Sequence, residues 1–172
     1  MPTYEGLLDE ALERGLTVIE KYPFTSPRIR GLCCDDVIAL SERIDTEAER
    51  RVVLCEELTH AVHSAGDILD DPRMEQRARA RSIDRMVGLR GQIRAVHAGC
   101  REAWEFAEAL NVPEDFLAEL MANYRARYGT LTTVSTDQGI FALTFEPAFR
   151  VKRLVRGKRL RQQGKLKREE AI

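Results

Sequence analysis

Long apolar runs are missing from these 172 residues, and none approaches the ~20 residues a helix needs to cross a bilayer. The opening Met1-Pro2-Thr3-Tyr4-Glu5 lacks the basic start and apolar block of a signal peptide, so a cytoplasmic protein without membrane contact is expected. Cysteine is sparse. Cys33, Cys34, Cys55 and Cys100 form no C-x-x-C pair and read as reduced thiols that pack as small apolar groups. No internal repeat is visible. What is present is 44% hydrophobic, enough for a core in one domain or in one domain with an appendage.

The formal net charge of −1 hides a division. From Arg150 onward ten Lys/Arg face two Glu, whereas the residues before it hold seventeen basic and twenty-six acidic side chains. An acidic domain over 1–149 and a basic tail over 150–172 are therefore expected. The tail reads as partly helical in period, and as a solvated arm or a weak nucleic-acid contact.

Along the chain, Tyr4–Arg14 has the apolar stripe of a helix, with Gly15 as its stop. Thr17–Glu20 reads as a short strand. Ile29–Cys34 and Val37–Leu40 read as a hairpin turned at Asp35-Asp36. Thr46 with Glu49 is a capping box announcing a helix that stops near Gly66, and Pro72 starts the next, which runs to about Val87. Further helices are expected over Ile93–His97, Arg101–Leu110 and Pro113–Tyr128. The last two resemble a helix-turn-helix hinged at Asn111, but Glu102, Glu105, Glu108, Glu114, Asp115 and Glu119 make the unit acidic and poorly suited to DNA. Thr130–Thr136 and Ile140–Phe145 read as a hairpin around Asp137-Gln138-Gly139.

The chemistry-bearing stretch is Leu54-Cys55-Glu56-Glu57-Leu58-Thr59-His60-Ala61-Val62-His63. On a helix Glu56 and His60 share one face, one turn apart, with Glu57 rotated beside them. This is the layout of H-E-x-x-H with Glu56 in place of the first histidine. In that motif the outer pair holds zinc and the glutamate between them takes a proton from the zinc-bound water. Taken alone, such a spacing also fits any helix with a solvated Glu-Glu-His face. The apolar flanks Val52-Val53-Leu54-Cys55 and Ala61-Val62 favour burial, and buried Glu and His need a partner.

In order and spacing, several pieces resemble the ImmA/IrrE family of metallo-endopeptidase-like proteins, in the short form of prophages and mobile elements. They are Tyr4-Glu5-x-Leu7-Leu8-x-Glu10-Ala11, Arg30-Gly31-Leu32, Cys55-Glu56-Glu57-Leu58-x-His60, Gly66-Asp67-Ile68-Leu69-Asp70, Glu75-x-Arg77-Ala78-Arg79, Phe106-Ala107-Glu108-x-Leu110-x-Val112 and Phe145-Glu146-Pro147. The resemblance implies a zinc-dependent peptidase fold that cleaves or inactivates a phage-type helix-turn-helix repressor. It carries over Glu57 as catalytic base and His60 as zinc ligand. Glu56 stands in the first ligand position and Thr59 in place of a glycine. An acidic ligand is implied on the following helix, with Glu75 nearest, although the frame also allows Arg77 there. Glu56, His60 and Glu75 would hold zinc, or manganese given two oxygen ligands. With Arg77 at the third position, Glu56 and Arg77 would instead pair without metal, leaving a pseudo-protease that binds its repressor uncut. His63 reads as a reserve ligand or a supporting histidine. The expected architecture is α+β: a zincin-like, mostly helical domain with a small antiparallel N-terminal sheet and a C-terminal hairpin. A DNA-binding accessory protein is the remaining class.

Overall fold

Thr3 starts the first helix. Its Oγ1 accepts from the Gly6 N–H at 3.1 Å, and α1 (Tyr4–Glu13) buries Tyr4, Leu7 and Ala11 along one face. Gly15, at φ 73°, adopts the left-handed conformation expected of a helix stop. The computed structural model describes residues 1–63, 72–146 and 149–156. The fold is α+β, and it divides into two compact units, Met1–Asn123 and Tyr124–Ile172.

In the first unit, α1 leads into β1 (Thr17–Tyr22), β2 (Gly31–Cys34) and β3 (Val37–Ser41). The β2–β3 hairpin turns at Asp35-Asp36, with Asp35 at φ 50°, a conformation that aspartate tolerates in tight turns. The sheet order is β1-β3-β2, with β1 parallel to β3 and β2 antiparallel to it. The expectation of an antiparallel N-terminal sheet is thus corrected to a mixed one. The reason is the link from Pro23 to Arg30, which is long enough to step past one strand, so β3 inserts between β1 and β2. Strand periodicity carries no information about which edge a strand joins. Ile38 and Leu40 are fully buried on the sheet face that also carries Gly31. On the other face Ile19, Ala39 and Leu32 form one cross-strand row, and Ile19 and Leu32 remain exposed. Together with Tyr22 and Phe24 they border a hollow of about 370 Å³.

The helix α2 (Glu47–His63) opens with the expected capping box. The Glu49 N–H donates to Thr46 Oγ1 at 3.2 Å, and the Thr46 N–H to Glu49 Oε2 at 3.4 Å. Leu54, Cys55 and Leu58 are fully buried, and α2 packs against β2, β3 and α3 (Pro72–Met86). The expected stop at Gly66 and turn over Asp67–Asp71 lie outside the described residues. After α3 comes α4 (Gly88–His97), which starts earlier than the sequence indicated. Gly91 lies inside it. A Cβ there would stand 3.0 Å from Val87 Cγ1 and 3.6 Å from Leu110 Cδ2, so the glycine permits close packing. The helical hairpin α5 (Ala103–Leu110) and α6 (Glu114–Tyr128) turns at Asn111, which is left-handed at φ 50°. The buried Arg51 donates from Nη2 to the Leu110 carbonyl at 3.1 Å and satisfies the end of α5.

In the second unit, β4 (Leu131–Thr136), β5 (Gly139–Thr144) and β6 (Arg150–Arg156) form an antiparallel sheet in that order. Phe141, Leu143 and Phe145 are fully buried, as is Tyr124, whose ring lies 6.0 Å from that of Phe145. The expected hairpin is present and gains a third strand. Arg150–Arg156, expected within a basic tail, pairs along β5, with Val151 opposite Leu143 and Val155 opposite Ile140. The high charge of this segment masks its β-branched residues; once paired, Arg150, Lys152 and Arg153 stay exposed. Residues 157–172 lie outside the described residues. Among the described residues no helix is long and apolar enough to cross a membrane.

Candidate functional site

The second half of α2 presents three polar side chains between apolar ones. Glu56 and Glu57 are half-buried, as is His60. The Glu56 carboxylate forms an ion pair with Arg79 Nη1 of α3. Arg79 also donates from Nε and Nη2 to both carboxylate oxygens of Glu119 on α6, at 2.5 Å each. Its guanidinium carbon lies 5.9 Å from the centre of the Phe116 ring. One cation therefore joins α2, α3 and α6. The side chains of Arg79 and Glu56 keep only 25% and 22% of their surface in water, so the bridge is screened far less than a surface pair.

The electrostatics follow from that placement. Burial pushes the Glu56 carboxyl above the usual glutamate range, while Arg79, and to a lesser degree His60, pull it back. The hydrogen bonds that Arg79 donates to Glu119, ahead of the opposing burial, hold it above the ordinary arginine value, so it is a cation at every relevant pH. Behind this face, burial pushes the Cys55 thiol up to about 11, against the neighbouring Ser82 and Thr59 hydroxyls and the charge of Arg51. Thr59, which stands where the resembled family has glycine, donates from Oγ1 to the Cys55 carbonyl at 2.7 Å and is satisfied within α2.

Glu57 turns toward β2. A Cβ on Gly31 would stand 2.5 Å from Val53 Cγ1 and 2.8 Å from Glu57 Oε1, so only glycine lets α2 and its glutamate lie this close to the strand. Burial, and then the Glu57 charge, raise the Cys33 thiol. Beside Glu56, Arg30 Nη2 meets Glu49 Oε1 at 2.8 Å. Arg30, Glu49, Val52, Glu56, Arg79 and Phe116 border an open cleft of about 250 Å³.

The structure thus brings Glu56, Glu57 and His60 to the inner part of α2 as the sequence indicated. The arginine that meets Glu56 is Arg79 rather than Arg77, which is exposed. Two residues on a helix differ by about 200°, so only one of these arginines can face α2. Glu75 lies one turn before Arg79 on α3, and its side chain and that of His63 are outside the described residues. Among the described residues no three His, Cys, Asp or Glu stand close enough to share one metal ion. Sequence reasoning missed Glu119. Its signal was a carboxylate three residues after Phe116 and one before Leu120, at the border of the buried stripe of α6 rather than on its solvated face. Comparison with known proteins gives no matching family model, no matching curated protein and no matching solved structure.

Proposed function

We propose that this chain is a non-catalytic regulator with a zincin-like, ImmA/IrrE-type domain, which binds a phage-type helix-turn-helix repressor without cutting it. The observation that carries this reading is the Arg79 guanidinium between Glu56 and Glu119. By the resemblance Glu56 stands at the first ligand position, and its carboxylate is already engaged by a permanent cation. A divalent ion beside it would meet that positive charge and would have to displace an ion pair sheltered from water. The set Glu56, His60 and Glu75 therefore does not fit zinc or manganese while Arg79 keeps its bonds. What remains chemically is a carboxylate–guanidinium–carboxylate bridge at the edge of a cleft, an arrangement suited to fixing helices and offering hydrogen bonds to a bound peptide.

A second reading, the metal-dependent endopeptidase, draws support from one feature. Glu57 and His60 are both in place on α2, and Gly31 leaves room for Glu57 at the edge of β2. One experiment separates the two. The protein is purified without a metal-chelating tag, its zinc and manganese are measured by mass spectrometry, and it is incubated with the repressor encoded nearest its gene. Binding without fragments, far less than one metal per chain, and equal behaviour of Glu57→Gln are expected. Stoichiometric metal together with cleavage that falls by about 10²–10⁴ in Glu57→Gln would establish the peptidase instead.

A further inference from the structure

The basic segment seen in the sequence lies within the second structural unit. Tyr124–Ile172 carries twelve Lys/Arg and four Asp/Glu, while Met1–Asn123 carries fifteen and twenty-four. Within the basic unit, the three strands β4, β5 and β6 contain no acidic residue. Their register sorts the side chains onto two faces. Phe141 and Leu143 define the buried face, together with Thr132, Val134 and Val151, and Arg153 lies on this side too, over the Phe141 ring at 5.2 Å from its centre. The other face is built from three cross-strand rows: Leu131–Thr144–Arg150, Thr133–Ala142–Lys152 and Ser135–Ile140–Val155. Arg150, Lys152, Thr133 and Ser135 on it are exposed, and so are Leu131, Ile140 and Val155.

We propose that this outer sheet face docks on the phosphate backbone of duplex nucleic acid without reading its sequence. Its polar side chains are cations and hydroxyls, all of them donors to phosphate oxygens, with no carboxylate to repel them. Arg150 and Lys152 stand two residues apart on one strand, about 6.8 Å along it, and so present successive charges in a line. A duplex, with one negative charge per roughly 1.7 Å of its axis, is the partner dense enough in charge to match such a surface. Single strands are the poorer match. They are held by aromatic platforms, and the one aromatic residue in these strands, Phe141, is fully buried. Phosphate contact without base contact carries no sequence preference. The acidic α5–α6 hairpin, despite its helix-turn-helix spacing, takes no part. This surface includes none of the residues around Glu56, so it stands or falls independently of the reading given above.

The test uses the full-length chain and a labelled duplex of about 20 base pairs, with anisotropy followed between about 50 and 200 mM salt. Two unrelated duplex sequences are expected to bind alike, with affinity falling steeply as salt rises. Arg150→Ala with Lys152→Ala is expected to weaken binding at least tenfold and to lower the log–log salt slope by about 2, one for each lost phosphate contact. Arg150→Lys with Lys152→Arg, which keeps both charges, should restore binding, and circular dichroism should show both variants folded. In a further full-length variant Lys158, Arg159, Arg161, Lys165, Lys167 and Arg168 are changed to Gln, and the slope difference on removing Arg150 and Lys152 should persist in it. The proposal is overturned by absence of duplex binding at the lowest salt, or by equal binding of the double alanine variant. It is also overturned by binding that follows the six downstream charges alone, by preference for a single-stranded oligonucleotide, or by capture on phosphatidylserine vesicles without capture of duplex.

Discussion

Arg79 is the residue on which three helices converge, and its removal tests it against Arg77, the arginine named in the sequence reading. Arg79→Ala strands Glu56 in a half-buried position and frees Glu119. The expected loss is about 2 kcal/mol in urea unfolding, below the 3–5 of a fully buried pair because part of each carboxylate stays hydrated. Arg77→Ala is expected to stay within about 0.5 kcal/mol, since Arg77 is exposed. Equal losses for the two would remove Arg79 from its assigned role. A pairing of carboxylate with arginine was legible in the sequence, because a half-buried Glu56 requires a partner and the following helix is rich in arginine. The identity of the arginine was not. Choosing between positions 77 and 79 needs the rotation of α3 about its axis, which is set by burial of Ala78, Ser82, Ile83 and Met86 against the rest of the fold. Glu119 was harder still, since its contact with Arg79 spans forty residues and leaves no local periodic trace.

Helix α2 depends on its first turn as much as on its apolar side. Glu49 accepts from the Asp45 and Thr46 N–H groups and from Arg30. Burial alone would raise its carboxyl, but these hydrogen bonds outweigh it and hold the value below the ordinary glutamate range. A carboxyl with a depressed folded pKa contributes stability above its unfolded value and loses it as pH falls through the folded value. Wild type is therefore expected to lose stability faster than Glu49→Gln as pH drops below about 4.5, with the gap between their urea midpoints closing there. A gap that stays constant with pH would rule this out. Thr46→Ala should cost about 1 kcal/mol at neutral pH by removing the reciprocal bond. This cap was fully legible, because capping is a matter of three adjacent residues. The pairing of β1 was not, since the same alternating pattern serves a parallel or an antiparallel neighbour.

At the scale of the whole molecule, β6 completes the second sheet as its outer strand. A chain stopped at Phe149 loses the strand opposite Ile140, Ala142 and Leu143 and leaves β5 as an open edge. Its melting temperature is expected to fall by at least about 5 °C relative to the full chain, measured by circular dichroism. An unchanged melting curve would mean that β6 adds nothing to the fold. The sequence points away from a strand here because the ten cations from Arg150 onward outweigh its few β-branched residues. Val151 and Val155, spaced to meet Leu143 and Ile140, were the local signal beneath it. The division into an acidic and a basic part was, by contrast, plain from composition, although the structural boundary falls at Asn123 rather than at Arg150.

The row of Ile19, Ala39 and Leu32, with Tyr22 and Phe24 at the hollow beside it, has a practical outcome for anyone handling the protein. Environment-sensitive dyes such as anilinonaphthalene sulfonate light up on apolar surface, which most folded proteins hide. Here the native state itself offers such a surface. A dye-monitored thermal scan should begin bright and rise little at the transition. Leu32→Ser, which breaks the row, should darken the native baseline without moving the midpoint recorded by circular dichroism by more than a few degrees.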